Sequence, residues 1–115
     1  MKRDNDSMSE LTKKVCIACK GGEPPLTEAE AKPYLEQVND WNTIENSVKI
    51  EKRFEFKNFV EAMSFINKVA DLAEQEGHHP DIFVSYNKVK IQIYTHKIGG
   101  LHENDFILAA KIDQL

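Results

Sequence analysis

The sequence predicts an α+β protein: a two-layer sandwich in which helices cover one face of a four-stranded antiparallel sheet. Three observations support this: strand-like alternation over residues 48–56, similar alternation in two runs between residues 82 and 95, and helical periodicity over residues 59–73. A chain of 115 residues is long enough for one domain with a single core. The predicted element order is α-β-β-α-β-β-α.

The first 25 residues show no sustained periodicity. Gly21-Gly22 and Pro24-Pro25 would interrupt any regular element here. Residues 1–25 are therefore predicted to form a flexible arm, and residues 26–115 the folded domain.

The first helix is predicted from a capping box, in which Thr27 and Glu30 stand three residues apart. Pro33 falls late for a first helical turn. It therefore predicts either a kink or a restart of the helix near Lys32.

A hairpin is predicted next, because apolar and charged residues alternate. The apolar residues, which all point to one face of the sheet, are Val48, Ile50, Phe54 and Phe56. The turn is predicted at residues 45–47, which read Glu-Asn-Ser.

The most regular helical segment begins after Asn58, a favourable N-cap, and is predicted to end near Gly77. Pro80 also disfavours helical geometry at His79. The predicted buried face consists of Phe59, Ala62, Met63, Ile66, Val69, Ala70 and Ala73.

A second hairpin follows, with a predicted two-residue turn at Asn87-Lys88. This register gives three apolar pairs on one side of the hairpin: Tyr86 with Val89, Val84 with Ile91 and Ile82 with Ile93. Continuing along the same ladder places His79 opposite His96.

A final helix is predicted from about Glu103, after a break at Gly99-Gly100. Its apolar residues are Leu108, Ile112 and Leu115, with Phe106 and Ala109 beside them. This is more apolar surface than one sheet face needs, so the helix is a candidate contact for a second copy of the chain, unless both apolar strips pack on the sheet within one chain.

Composition limits the kinds of ligand that the protein is expected to bind and the cellular compartment in which it is expected. Hydrophobic residues make up 41% of the chain and charged residues 30%, an ordinary balance for a soluble domain, and no apolar run approaches the roughly 20 residues that cross a bilayer. The net charge of −4 argues against direct binding to a nucleic-acid backbone. The first 14 residues lack the apolar stretch of a signal peptide, so the protein is expected in the cytoplasm.

Three histidines are predicted to converge on one pocket. His78 and His79 lie in a loop before Pro80, and the hairpin register brings His96 within cross-strand reach of His79. Glu74 lies one helical turn before His78, where its carboxylate can orient an imidazole. Because imidazoles titrate near neutral pH, such a cluster favours proton transfer.

Two other interpretations of the histidines stay open at this point. Histidines in a loop and at a strand end are often ordinary polar surface residues. Three imidazoles can also bind zinc, but adjacent histidines are awkward paired ligands and the chain has no HExxH spacing. No metal is therefore expected.

Cys16 and Cys19 form a CxxC motif in the arm. A zinc ribbon needs a second ligand pair, and a thioredoxin-like site needs a strand before the motif and a helix after it. Neither pattern is evident. Reduced thiols are expected, in an arm that is dispensable for chemistry.

Three segments resemble the pterin-4a-carbinolamine dehydratase family, also known as the dimerisation cofactor of a homeodomain transcription factor. They are Glu74 with GHHPD, the hairpin SYNKVKIQIYTH, and GGLHENDFILAAKID. The likeness runs from about Leu26 to the C-terminus, with the motifs in the family's order and spacing. One departure is His102, where the family commonly has Ser or Thr as the cap of the last helix.

The resemblance assigns roles to individual residues. The implied catalytic set is His78, His79, His96 and Glu74. The implied substrate contacts are His78, Asp105 and Trp41, with Asp105 also a supporting acid.

The implied activity is dehydration of a 4a-hydroxytetrahydropterin, such as 4a-hydroxytetrahydrobiopterin, to the quinonoid dihydropterin and water. This step regenerates the pterin cofactor after aromatic amino-acid hydroxylation. It needs no metal or redox cofactor, because one proton goes to the leaving hydroxyl and one is removed from a ring nitrogen. His79 and His96 are the preferred proton-transfer residues, with acid and base left unassigned.

An alternative function is a protein-interaction module that stabilises a partner's dimer. The resemblance also implies a homodimer or homotetramer, and open sheet edges suit such pairing.

Overall fold

The computed structural model describes residues 11–17 and 21–115. In this part of the chain, one four-stranded antiparallel sheet and three α-helices confirm the predicted α+β fold and its element order. The strands are β1 (Asn42–Ile44), β2 (Lys49–Glu55), β3 (Asp81–Ser85) and β4 (Lys88–Ile93), in the sheet order β1-β2-β4-β3. The helices are α1 (Glu28–Leu35), α2 (Phe59–Glu76) and α3 (Glu103–Ile112).

Helix α1 begins with the predicted capping box. The N–H of Glu30 donates to Thr27 Oγ1 at 3.1 Å, and the N–H of Thr27 donates to Glu30 Oε1 at 2.9 Å. The predicted restart near Lys32 is wrong, because a single helix runs through Pro33. Pro33 has no N–H to donate to the carbonyl of Ala29, so the helix lacks that one bond but still continues to Leu35.

The first hairpin joins β1 to β2 through residues 45–48, so the predicted turn at residues 45–47 is extended by Val48. Strand β2 then pairs with β4, the other central strand, placing Ile50 beside Ile93 and Phe54 beside Val89. The short β1 and β3 form the two edges of the sheet.

The predicted register of the second hairpin is wrong by two residues. Val84, not Tyr86, pairs with Val89, and the turn consists of Tyr86 and Asn87, with Tyr86 at a φ of 52°. The Asn87 side chain donates to the carbonyl of Phe56 at 2.8 Å, which ties this turn to the end of β2. A slip of two residues keeps every side chain on its predicted face, but it removes the ladder argument that placed His79 opposite His96.

Helix α2 has both predicted caps. Asn58 Oδ1 accepts from the N–H of Glu61 at 2.9 Å, and Gly77 ends the helix at a φ of 67°. Its buried face is only partly as predicted. Ala62, Val69 and Ala73 are buried, Phe59 and Ala70 are exposed, and Phe65 and Leu72 pack against the core instead.

Helix α3 is the most deeply buried helix, since every residue from Asn104 to Ala110 is buried. The prediction that this helix has spare apolar surface for a second copy is therefore wrong: the same chain covers it. Leu115 lies beyond the helix end and is 47% exposed, so it does not extend the apolar stripe.

Residues 11–17, which we name the N-terminal strap, lie against the domain. Leu11 is 2% exposed and belongs to the hydrophobic core. The flexibility of residues 1–25 stays a prediction, and Cys19 lies outside the described residues. No helix in the described part of the chain is long and apolar enough to cross a membrane.

Candidate active site

Gly77 sets the direction of the loop that carries two histidines. Its left-handed backbone ends α2, and the N–H of His78 donates back to the carbonyl of Ala73 at 3.2 Å. A left-handed residue breaks the helical period, so the four-residue spacing no longer brings Glu74 and His78 together. Glu74 and His78 therefore do not pair with each other.

His78 pairs instead with Asp105 on α3, with 2.6 Å between Nε2 and Oδ1. Asp105 is fully buried and also accepts from the Thr95 hydroxyl at 3.1 and 3.2 Å and from the N–H of His102 at 2.8 Å. Because Asp105 engages Nε2 of His78, Nδ1 is the ring nitrogen left for a ligand.

His79 takes Glu74 as its partner, with 2.7 Å between Nε2 and Oε2. Both side chains are exposed, at 60% and 79% respectively. Such a pair orients an imidazole without removing it from water, so His79 remains accessible to a ligand.

His96 reaches the same region from the end of β4. It begins a short 3₁₀ turn over His96–Ile98, which is closed by an antiparallel bridge between Thr95 and Gly100. The Tyr94 ring meets the imidazole edge-on, with 4.2 Å between the ring centroids.

An open cavity of about 460 Å³ brings the three histidines together. Its lining residues are Cys16, Ile17, Glu76, Gly77, His78, His79, Thr95, His96, Lys97 and Asn104. The loop after α2 and the turn after β4 create this convergence, and hairpin pairing does not. Asp105 lies beneath the cavity, in contact with His78 and not with the open space.

Trp41 does not line this cavity. It is 4% exposed, its ring meets Phe54 edge-on, and its Nε1–H donates to Asp113 Oδ1 at 3.0 Å. Asp113 also pairs with Lys52 at 2.9 Å. In this structure Trp41 is a core residue that ties the end of the chain to the sheet.

His102, the one departure from the family pattern, does cap α3. Its Nδ1 accepts from the N–H of Asn104 at 3.0 Å, while Asp105 accepts from the His102 N–H. A neutral imidazole nitrogen thus takes the role that a hydroxyl oxygen usually plays at an N-cap.

Sequence reasoning missed Asn104 and Glu76, which are both at the cavity. Asn104 is 3% exposed, and the side chain of Glu76 is 6% exposed. Asn104 stands next to Asp105 in the sequence, but a polar residue in the first turn of a helix is normally solvated. No pattern in the chain therefore marked it as buried.

Two groups beside the histidines have shifted pKa values. Burial raises the pKa of the Cys16 thiol to about 12, and the nearby charge of Glu76 adds to the rise. Burial alone would raise the pKa of Glu76, but hydrogen bonds from Lys111 and from the Cys16 N–H outweigh it and hold that pKa below its usual value. At neutral pH the histidines therefore lie beside a neutral thiol and a carboxylate paired with Lys111.

The described residues contain no group of three or more His, Cys, Asp or Glu side chains that could hold a metal ion.

Fold and site together define a small α+β protein with an open, histidine-lined pocket, and imidazole side chains are suited to proton transfer.

Comparisons with known proteins identify the family. The family model for pterin 4 alpha carbinolamine dehydratase matches residues 24–115. A protein of Halorhodospira halophila, provisionally named a pterin-4-alpha-carbinolamine dehydratase, is 50% identical over 91% of this chain and 96% of its own length. The chain belongs to the pterin-4a-carbinolamine dehydratase family.

Solved structures agree with this assignment. A transcriptional coactivator/pterin dehydratase from Brucella melitensis is 33% identical, with a TM-score of 0.74 over 78% of this chain and 96% of that one. A pterin dehydratase-like protein described as a RuBisCO assembly factor of the alpha-carboxysome is 25% identical, with a TM-score of 0.57 over 66% of this chain and 88% of that one.

Proposed function

We propose that the protein dehydrates a 4a-hydroxytetrahydropterin to the quinonoid dihydropterin by histidine acid–base catalysis. The observation that carries the proposal is the convergence of His78, His79 and His96 on one open cavity. Membership of the dehydratase family supports the same substrate class.

The reaction is a redox-neutral elimination. A general acid protonates the hydroxyl on the 4a carbon, the carbon–oxygen bond breaks, and water leaves with the bonding electrons. A general base removes the proton from a ring nitrogen, whose electrons complete the new double bond. The two proton transfers balance, so two imidazoles near neutral pH suffice.

We assign the proton transfers to His79 and His96, whose side chains are exposed at the cavity. His78 is the better candidate for holding the pterin, because its hydrogen bond with Asp105 fixes the orientation of its ring. Glu74 supports His79 in a similar way, through their hydrogen bond. Asp105 acts only through His78, and Trp41 has no part in the proposal because it lies outside the cavity.

The direct test is to add purified protein to freshly generated 4a-hydroxytetrahydropterin and to follow formation of the quinonoid product by absorbance. We expect acceleration over the uncatalysed dehydration, at a rate that prolonged treatment with EDTA leaves unchanged. Loss of activity in EDTA with recovery on adding zinc would contradict the mechanism, and absence of any acceleration would contradict the function.

A second candidate is an interaction module. The similar Brucella melitensis protein is described as a coactivator as well as a dehydratase. Exposed apolar side chains suit such a role, among them Val60 on α2 at 74% and Phe83 on the edge strand β3 at 47%. Pull-down with a His79→Ala/His96→Ala double variant tests it: a partner that this inactive protein retains would favour an interaction role separate from catalysis.

A further inference from the structure

The N-terminal strap forms one side of the histidine cavity. Cys16 and Ile17 line the same cavity as the three histidines. The Ile17 side chain stays 64% exposed although both its backbone N–H and its carbonyl are hydrogen-bonded. An apolar side chain is thus held open to the cavity. The strap also precedes the residues that the family model matches, which begin at residue 24.

A buried amide fastens the strap to α3. Asn104 Oδ1 accepts from the N–H of Ile17 at 3.1 Å, and its Nδ2 donates to the carbonyl of Ile17 at 2.6 Å. The Cys16 thiol adds a bond to the Asn104 carbonyl, with 3.6 Å between sulfur and oxygen. Buried polar side chains need hydrogen-bond partners, and in the described part of the chain the strap supplies those of Asn104.

A second bond holds the strap at the end of α2. Glu76 Oε1 accepts from the N–H of Cys16 at 3.0 Å, while its other oxygen pairs with Lys111 at 2.5 Å. Glu76 stands two residues before His78, and Asn104 stands directly before Asp105, the partner of His78. The strap is therefore anchored to both segments that position His78.

We propose that the strap is part of the substrate site. Ile17 supplies an apolar wall for one face of the pterin ring, and Asn104 is the positioning residue that holds this wall in place. Ligand sites commonly combine an apolar surface with a few polar groups that fix orientation, and here the histidines supply the polar groups. This inference rests on the proposed function, and it replaces the expectation that the arm is dispensable.

The chain offers a matched pair of variants. Ile17→Ala shortens the wall, whereas Val15→Ala makes a similar change in the same strap at a side chain that is 65% exposed and does not line the cavity. A contact made equally with the substrate and the transition state affects KM and not kcat. We expect Ile17→Ala to raise KM about three- to tenfold, with kcat within about twofold of wild type, because loss of an apolar contact has effects of this order. Val15→Ala should leave both constants unchanged.

The positioning role has its own readout. Asn104→Leu keeps a similar volume but removes both hydrogen bonds to Ile17. We expect it to raise KM at least as much as Ile17→Ala does, and to speed tryptic cleavage after Lys13 and Lys14 in the folded protein. Ile17→Ala should not change that cleavage rate. Unchanged cleavage in Asn104→Leu would contradict the positioning role. If this variant does not fold, the Ile17→Ala and Val15→Ala variants still test whether Ile17 forms an apolar wall for the pterin.

Binding of the stable pterin 7,8-dihydrobiopterin separates this inference from the proposed function. Turnover by the wild type with equal KM and Kd in the Ile17→Ala and Val15→Ala proteins would overturn the wall and leave the function standing. Pterin binding without turnover would remove the function, while a rise in Kd confined to Ile17→Ala would still support the wall. A wild-type protein that neither binds nor turns over pterin would overturn both.

Discussion

Replacing Glu76 with glutamine should destabilise the protein in a pH-dependent way. The Glu76 side chain is 6% exposed and its ion-pair partner Lys111 is 16% exposed. Removing one partner of a buried pair typically costs about 3–5 kcal/mol. Glutamine can still accept from the Cys16 N–H, and Lys111 keeps some contact with water. We therefore expect Glu76→Gln to lower the free energy of unfolding by about 2–3 kcal/mol near neutral pH.

The pH dependence follows from the lowered pKa of Glu76 in the folded protein. A carboxyl whose folded pKa lies below its unfolded value contributes stability that is fully present above the unfolded pKa. That contribution is lost as the pH falls through the folded pKa. The difference in stability between wild type and Glu76→Gln should therefore shrink steadily below about pH 4.

Urea denaturation followed by circular dichroism, at several pH values from about 3 to 7, measures this difference. Glu45→Gln is the matched control, because Glu45 is 59% exposed and lies 3.6 Å from Lys49. An ion pair whose carboxylate is exposed to this extent contributes about 0–1 kcal/mol. A Glu76→Gln loss no larger than that of the control, or one that is the same at pH 3 and pH 7, would refute the reasoning.

Three further predictions concern other parts of the molecule. The pKa of the Cys16 thiol is raised to about 12, so iodoacetamide at about pH 8 should modify it at least tenfold more slowly in the folded protein than in urea. A Cys19→Ser background isolates the reaction of Cys16. Equal rates in the two states would contradict the burial of this thiol. In Asp105→Asn, an amide N–H₂ faces one of the groups that donate a hydrogen bond to Asp105. We therefore expect the free energy of unfolding, measured by urea denaturation, to fall by about 2–4 kcal/mol. A fall of less than about 0.5 kcal/mol would show that the buried cluster tolerates the change. Light scattering across a concentration series should give a multiple of the 13.2 kDa chain mass, as family membership implies; a constant monomer mass would be inconsistent with the predicted assembly.

Elements with local signals could be predicted from the sequence. Thr27 with Glu30, Asn58 and Gly77 each act through hydrogen bonds or backbone geometry within a few residues, and all three caps form as predicted. The alternation of apolar and polar residues along β2 and β4 identified the inner face of the sheet, because this signal also depends only on residues close together in the sequence. The three histidines do line one cavity, but the ladder predicted to bring His96 opposite His79 does not form, and the ends of α2 and β4 bring them together instead.

Features that depend on tertiary contacts could not be predicted in this way. The turn at Tyr86 and Asn87 is tied to Phe56, the residue after β2, and sequence spacing around the hairpin carries no record of that bond. His78 pairs with Asp105, and Glu74 pairs with His79, because one left-handed residue redirects the loop.

The strap is a second tertiary feature of this kind. Its anchors, Asn104 and Glu76, are polar residues at helix ends, where exposure is the ordinary expectation. Their burial depends on the strap itself, whose own sequence shows no periodicity.

The most direct test of the central claim compares the histidines of the cavity with the one outside it. His79→Ala and His96→Ala should each lower kcat for dehydration of freshly generated 4a-hydroxytetrahydropterin by at least about tenfold, because a placed general acid or base contributes about 10²- to 10⁴-fold. His102→Ser, which keeps an oxygen to cap α3, should retain wild-type turnover. Full activity in both cavity variants, with their folded circular dichroism spectra intact, would contradict histidine catalysis at this site.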